Sequence, residues 1–285
     1  MVAALDTAGV GSQNRASRVL ATEEMMEVTS YAPGTPSWAD VSAPDVDAAV
    51  AFYGALFGWE AQDIGPEAGG YRMFTLRGKY VAGLGPLMGE GVPPHWTTYV
   101  SVADAADVTA AARGGGATVF VEPMDVFDAG RMAVMADPLG AYVAIWQPGV
   151  HIGAQLANEP GTLCWAELAC RDVEAAKQFY SPLFDWEPKD QEIPGVTYVE
   201  WHLGGRPVGG MVKMDDNWPA EAPPHWMVYI SVADSDATCA QVTELGGNVA
   251  VPPTDIRPGR FAVVSDPGGA YFSVITFTPE FMAAE

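Results

Sequence analysis

The sequence predicts an α+β protein with two tandem domains, which together contain four βαβββ units. The first observation behind this is a long internal repeat. The stretch WADVSAPDVDAAVAFYGALFGWE begins at Trp38, and WAELACRDVEAAKQFYSPLFDWE begins at Trp165. The second is that the order strand, helix, strands occurs twice within each copy. A repeated unit of roughly 115 residues is too long for a solenoid and has the size of a domain.

The first unit opens with a short alternating strand and an amphipathic helix. A turn at Ala43-Pro44-Asp45 separates them, and Asp45 is well placed as the helix N-cap. The helix then carries Val46, Ala49, Val50 and Tyr53 on one stripe. The segments YRMFTL and YVAGLGPL follow as predicted strands.

The second unit repeats this order after the PPHW turn. TTYVSVAD is a predicted strand, ADVTAAARGGG a helix that ends in glycines, and TVFVEP, RMAVMAD and AYVAIWQ are strands. The second copy follows the same scheme. The predicted organisation is a tail (1–33), a first domain (34–149), a linker (150–160), a second domain (161–279) and a short tail (280–285).

Composition and charge exclude several classes of partner. The formal net charge is -22, which argues against nucleic acid and against an acidic membrane surface, because phosphate binding needs a basic face. No apolar run reaches the ~18 residues of a membrane span, and the N-terminus lacks the pattern of a secretory signal. Three cysteines without metal-type spacing suit a reducing compartment, so we expect a cytoplasmic protein.

The doubled βαβββ order, the FY…LFGW helix end and the DP.G turn before each last strand resemble the vicinal oxygen chelate superfamily. This family contains glyoxalase I, extradiol dioxygenases and bleomycin-binding proteins. The resemblance covers residues 34–279. Within this family, the chain is most similar to tandem two-domain actinobacterial proteins of the glyoxalase-like or "hydroxylase" type. The stretches GTPSWAD, PPHW.TY and GRMAV carry this similarity. The resemblance implies that each domain is a curved mixed β-sheet cup flanked by helices. It also implies that the protein is a monomer or a homodimer.

The family's enzymes hold a metal ion with side chains that face into this cup. The matching positions of this chain are Trp38, Gly83, Thr97 and Ala144 in the first domain, and Trp165, Gly210, Met227 and Ser273 in the second. None is a usual ligand of a divalent metal. We therefore expect a metal-independent protein without a cofactor.

Each cup is expected to carry aromatic rings, a carboxylate and phenols instead. If position 38 faces inward, as its counterpart does in the family, strand alternation selects the other inward side chains. The predicted ligand-binding residues are Trp38, Ser42, Thr97, Tyr142, Trp146, Trp165, Glu200, His202, Met227, Tyr271 and Ser273. The parity of the strand with Glu200 and His202 stays open. Gly83 and Gly210 are expected to leave open room on the floor.

Such a cup suits a planar organic ligand, because indole and phenol rings supply stacking area and an acid fixes orientation. Asp40 with Tyr99, and Glu167 with Tyr229, are the predicted catalytic pairs. A carboxylate against an apolar wall has a raised pKa, which prepares it for proton transfer. The expected partner is a small aromatic or enone-type metabolite.

Three functions stay open at this point. The first is a metal-independent tailoring enzyme of secondary metabolism, a setting that only the resemblance suggests. The second is a drug-sequestering or resistance protein that binds a small molecule without converting it. The third is a regulatory protein with vestigial sites, whose acids and phenols serve only the core.

Overall fold

The computed structural model describes residues 27–89 and 91–282. Residues 1–26 of the predicted N-terminal tail and 283–285 of the C-terminal tail therefore lie outside the described residues. Two eight-stranded sheets follow one another along the chain. Each sheet contains two βαβββ units, so the predicted fold class is confirmed.

The first sheet has the strand order β2-β3-β4-β1-β5-β8-β7-β6. Its strands are β1 (Pro36–Ala43), β2 (Glu60–Asp63), β3 (Arg72–Leu76), β4 (Lys79–Pro86), β5 (His95–Ser101), β6 (Thr118–Val126), β7 (Gly130–Ala136) and β8 (Tyr142–Pro148). β1 pairs parallel with β4 and antiparallel with β5, and β5 pairs parallel with β8. The sheet is therefore mixed, as predicted.

The second sheet repeats this topology in the order β10-β11-β12-β9-β13-β16-β15-β14. Its strands are β9 (Leu163–Cys170), β10 (Glu187–Ile193), β11 (Val196–Leu203), β12 (Arg206–Lys213), β13 (His225–Ser231), β14 (Asn248–Ile256), β15 (Gly259–Ser265) and β16 (Tyr271–Phe277).

Each unit has one main helix, and an aspartate caps its N-terminus. The helices are α1 (Val46–Phe57), α2 (Ala105–Gly114), α3 (Val173–Phe184) and α4 (Ser235–Glu244), with a short α5 (Pro279–Met282) after the last strand. Asp45 accepts a hydrogen bond from the backbone N–H of Ala48, as its predicted N-cap role requires. Asp104, Asp172 and Asp234 cap the other three helices in the same way.

The main hydrophobic cores do not belong to single domains. One cluster joins Phe52 and Tyr53 of α1 to Val242 of α4 and Phe272 of β16. The other joins α3 and β9 to the second unit of the first domain. The apolar faces of the four helices are therefore buried between the two sheets, which leaves the opposite, concave face of each sheet free to form a site.

Reciprocal hydrogen bonds cross this contact between the domains. The Tyr53 hydroxyl donates to Asp266 at 3.0 Å, and the Tyr180 hydroxyl donates to Asp137 at 2.8 Å. Each pair links a helix of one domain to the DP.G turn of the other. The paired contacts have the arrangement of a two-fold symmetric interface, as expected when a duplicated unit packs against its own copy.

The segment before β1 is docked on the chain that joins the domains. Glu27 forms a β-bridge with Leu156, and the Tyr31 hydroxyl donates to the carbonyl of Ala154 at 2.8 Å. Within the described residues, no helix has both the length and the apolar character needed to cross a bilayer.

Candidate functional site

The concave faces of the two sheets carry the predicted site residues on β1 and β9. Val41 lies in the core between the domains, so Asp40 and its alternate neighbours point to the other side of the sheet. We call the two concave faces cup 1, marked by Trp38, Asp40, Thr97 and Tyr99, and cup 2, marked by Trp165, Glu167, Met227 and Tyr229.

In cup 1, Asp40 accepts hydrogen bonds from two phenols. Tyr99 donates to its Oδ2 at 2.8 Å and Tyr71 donates to the same atom at 3.0 Å. The Trp38 indole in turn donates to the Tyr71 hydroxyl at 3.3 Å. Burial raises the pKa of Asp40, although hydrogen bonds from Tyr99, Tyr71 and Thr97 act in the opposite direction. Thr97 lies directly opposite Asp40 on β5.

Cup 2 repeats this arrangement around Glu167. Tyr229 donates to Glu167 Oε1 at 2.9 Å, and the Trp165 indole donates to the Tyr198 hydroxyl at 3.1 Å. Burial raises the pKa of Glu167, and hydrogen bonds from Tyr229 and Tyr198 oppose this rise. Burial and the nearby carboxylate also hold the pKa values of both phenols well above their usual range, so the phenols stay protonated donors.

The glycines on β4 and β12 make room for Tyr71 and Tyr198. A Cβ at Gly83 would lie 1.8 Å from the Tyr71 hydroxyl oxygen, and one at Gly210 would lie 2.1 Å from that of Tyr198. The expectation of open floor at these glycines is therefore wrong, because a phenol fills each gap. The sequence interpretation missed both tyrosines, although they recur at the same 127-residue spacing as the two glycines.

The residues of neither cup fit the metal ion that the family's enzymes hold. The phenols over Gly83 and Gly210 occupy the floor, and indoles stand at the position of the first ligand, residues 38 and 165. Among residues 27–89 and 91–282, no group of three histidine, cysteine or acidic side chains is placed to hold a metal ion.

Cup 1 is covered by the segment between the domains. The His151 ring packs edge-on against Trp38 with centroids 4.6 Å apart, and against Trp146 at 5.6 Å. The Trp146 indole donates to the backbone carbonyl of His151 at 2.8 Å. Trp38 is consequently only 5% exposed and Asp40 8%. Cup 1 is a filled apolar cluster in this structure.

Cup 2 is more open. Ile275 stands at the position that Trp146 has in the first copy, and Trp165 and Glu167 are half-buried, whereas Trp38 and Asp40 are buried. Met227 is also half-buried and lies opposite Glu167 on β13. The two cups therefore share one hydrogen-bonding pattern but differ in access, and a ligand has easier entry to cup 2.

The structure resolves the parity of β11. Val199 and Trp201 are buried in the core between the domains, so Tyr198, Glu200 and His202 face cup 2. His202 Nε2 lies 3.1 Å from Glu200 Oε2, and its Nδ1 lies 3.3 Å from the carbonyl of Gly205. Cup 1 has no such acid–histidine pair, because Met73 and Thr75 stand at the same positions.

Of the remaining predicted residues, two tyrosines lie at the edges of the cups and two serines lie deeper. Tyr142 and Tyr271 begin the last strands and are 54% and 50% exposed. Tyr142 stacks on Phe120 with centroids 5.0 Å apart, so both tyrosines are placed at the rim. Ser42 is half-buried opposite His95, and Ser273 is fully buried beside Tyr229.

Two surface clefts lie outside both cups. One of about 520 Å³ is at the start of α3 and includes Arg171, Lys177 and Lys213. The other, of about 390 Å³, lies between α2 and α3.

Since the floors of the cups are occupied by their own side chains, a ligand in cup 2 would rest on Trp165 and Tyr198 or displace them.

Comparison with known proteins places the chain in a family. The model of the Glyoxalase/Bleomycin resistance protein/Dioxygenase superfamily matches residues 35–145 and 162–274. The chain belongs to this superfamily, and the predicted family is confirmed. Each match covers one of the two sheets described above.

Similar proteins are known from actinobacteria. The anthracycline biosynthesis protein DnrV of Streptomyces peucetius is 40% identical over 272 residues, which cover 90% of this chain and 98% of that protein. CFP32 of Mycobacterium tuberculosis is 42% identical over 263 residues, which cover 90% of this chain and all of that protein.

Solved structures show the same fold at much lower identity. The Mn(II)-bound glyoxalase from Novosphingobium aromaticivorans is 14% identical, with a TM-score of 0.59 over 86% of this chain and 82% of that one. At this identity the likeness concerns the fold alone.

Proposed function

We propose that cup 2 binds a small planar aromatic or enone-type metabolite, and that the protein is a metal-independent tailoring enzyme of secondary metabolism. The observation that carries this proposal is the difference between the cups. Both have an acid, two phenols and an indole, but the acid and the indole of cup 2, Glu167 and Trp165, are half-buried, whereas Asp40 and Trp38 of cup 1 are buried. An aromatic wall with a few convergent polar groups is the usual character of a small-molecule site.

The relatives support the proposed setting. The protein from Streptomyces peucetius, which this chain matches over nearly its whole length, is named for anthracycline biosynthesis. A role in building or modifying an aromatic secondary metabolite agrees with the stacking surface that Trp165 and Tyr198 offer.

The proposed chemistry is proton transfer by Glu167 and Tyr229. As a base, Glu167 acts in its ionised form, and its raised pKa brings it nearer to neutral pH than an exposed glutamate. Turnover that depends on this base should therefore fall as pH decreases through a value above the ordinary glutamate pKa. Tyr229, which stays protonated, would hold or donate a proton to a developing oxyanion of the substrate.

A binding protein without catalysis is the second candidate, and one observation favours it. The Glu167 carboxylate already has Tyr229 and Tyr198 as hydrogen-bond donors, which makes it a less available proton acceptor. The third reading, a regulatory protein with vestigial sites, predicts no ligand at all in cup 2.

Substitutions in the two cups separate these candidates. We expect Trp165→Ala to weaken binding of aromatic probes such as 2-naphthol, measured by fluorescence titration, because the stacking surface is lost. Glu167→Gln should abolish turnover of a substrate while binding persists, and Asp40→Asn in the covered cup is the matched control with little effect on either. Binding without any turnover would favour the binding protein.

Two results would reject the proposal. Wild-type protein that shows neither a melting-temperature shift nor binding with aromatic probes would support a regulatory role. Metal analysis of the purified protein that finds a stoichiometric divalent ion, needed for activity, would remove the metal-independent mechanism.

A further inference from the structure

Cup 2 has a second polar group set apart from Glu167. Glu200 lies beside Gly210 in the register of β11 and β12, and Gly210 lies beside Glu167 in the register of β12 and β9. Because neighbouring strands are about 4.8 Å apart, the backbone positions of the two acids are separated by roughly 9–10 Å. The two carboxylates therefore mark two ends of one surface.

The surface between these ends is aromatic. Gly210 contributes no side chain, and the phenol of Tyr198 fills the space above it, next to the Trp165 indole. A flat ring system placed across Tyr198 would thus have an acid near each end and ring surface beneath it.

Glu200 is held in place by His202. The His202 side chain is 11% exposed, whereas that of Glu200 is 33% exposed. Each ring nitrogen of His202 faces an oxygen atom, Glu200 Oε2 on one side at 3.1 Å and the Gly205 carbonyl on the other at 3.3 Å. His202 thereby fixes one carboxylate oxygen of Glu200.

The second oxygen of Glu200 remains available. In the described part of the chain, His202 is the only side chain bonded to Glu200, and it contacts the first oxygen, Oε2. Lys189, which lies opposite Glu200 on β10, is instead 3.9 Å from Glu187. An ionised carboxylate only accepts hydrogen bonds, so its natural ligand partner is a hydroxyl or N–H donor.

We propose that Glu200, positioned by His202, forms a second recognition point of cup 2 and selects a fused-ring phenol or hydroxyquinone with hydroxyl groups at both ends. This inference rests on the proposed function, since it takes cup 2 as the binding site. One hydroxyl reaches the Glu167 and Tyr229 end, and the other donates to Glu200. A site built to accept a hydroxyl discriminates strongly against an analogue that lacks it.

The chain itself offers a matched control. Cup 1 has Met73 and Thr75 at the positions of Glu200 and His202, so the substitutions Glu200→Met and His202→Thr introduce residues that the equivalent strand of the first sheet already accommodates. The first removes the acceptor, and the second removes only the residue that positions it.

The experiment compares 2,6-dihydroxynaphthalene with 2-naphthol, and with 6-methoxy-2-naphthol, by fluorescence titration. Wild-type protein should bind the diol about 10- to 100-fold more tightly than either probe with a single hydroxyl, the range expected for a hydrogen bond to a charged group. Glu200→Met should lose this preference and keep its affinity for 2-naphthol. His202→Thr should reduce the preference only in part.

The outcomes distinguish this inference from the proposed function. If 2-naphthol binds wild-type protein, Trp165→Ala weakens it and the diol shows no preference, the Glu200 proposal fails while cup 2 remains the site. A preference that survives Glu200→Met contradicts the proposal in the same way. If no probe binds wild-type protein, both proposals fail. The comparison of the three probes on wild-type protein needs no variant to fold.

Discussion

At the scale of single residues, the duplicated positions show which differences matter. Asp40 and Glu167 have equivalent tyrosine partners, yet only cup 1 is covered by His151, which packs on Trp38. His151 is an unusual cover, because its Nε2 is buried and has no hydrogen-bond partner among the described residues. A ring that packs without using its polar atom can be replaced by an apolar ring.

We predict a pH-dependent gain in stability for His151→Phe. Burial lowers the pKa of His151 to about 4 from its ordinary value of 6.5. The unfolded chain therefore takes up a proton near pH 6.5 and the folded protein only near pH 4, so the histidine lowers the free energy of unfolding progressively across that window. Phenylalanine does not titrate, and the advantage of the variant should grow as pH falls from 6.5 to 4.

Urea unfolding of both proteins at several pH values measures this difference. The buried acids Asp40 and Glu167, whose raised pKa values act with the opposite sign, are present in both proteins and cancel in the comparison. An offset between the two proteins that does not change with pH would show that His151 takes up no additional proton on unfolding.

At the scale of elements, the helices of the two copies end differently. Gly58 ends α1 with φ 71°, and Asp185 ends α3 at the equivalent position with φ 58°. Both have the left-handed conformation, which glycine adopts readily and which costs other residues about 1–2 kcal/mol. A Cβ at Gly58 would meet nothing within 4 Å, so backbone conformation decides the effect of a substitution there.

We predict that Asp185→Gly raises the free energy of unfolding by about 0.5–1 kcal/mol, after the greater freedom of glycine in the unfolded chain is deducted. Gly58→Asp should lower it by a similar amount. Chemical denaturation of the two single variants tests both. A loss of stability in Asp185→Gly would mean that the exposed carboxylate makes a contribution larger than the backbone effect.

At the scale of the whole molecule, the two domains share their cores. The helix α1 buries its apolar face against residues of the second domain, and α3 does the same against the first. Tyr53 and Tyr180 seal these contacts through buried hydrogen bonds to Asp266 and Asp137. A domain taken alone would expose half of each cluster, so we expect both domains to unfold in one cooperative transition.

We predict that Tyr53→Phe and Tyr180→Phe each destabilise the whole protein by about 1–3 kcal/mol, because each leaves a buried carboxylate without its phenol donor. Each hydroxyl also accepts a hydrogen bond from an indole, that of Trp96 or Trp226. Tyr142→Phe, whose hydroxyl is at the exposed rim, is the control. Calorimetry should show a single transition that moves down for both buried variants, and two separate transitions would contradict the shared core.

Much of this protein could be inferred from its sequence, because local patterns carry that information. The long repeat, the helix-capping aspartates and the alternating strands determine four βαβββ units and their family. Strand alternation also indicates that Trp38 and Asp40 lie on one face together. These features depend on neighbours along the chain, which the sequence displays directly.

Only the tertiary structure decided what fills and covers the cups. Tyr71, just before β3, and Tyr198 of β11 reach across Gly83 and Gly210. His151 reaches Trp38 from the segment between the domains. The parity of β11, which turns Glu200 and His202 into cup 2, follows from the burial of Val199 and Trp201 against the other domain. Contacts between residues far apart in the chain depend on packing in three dimensions, and no local pattern of residues specifies them.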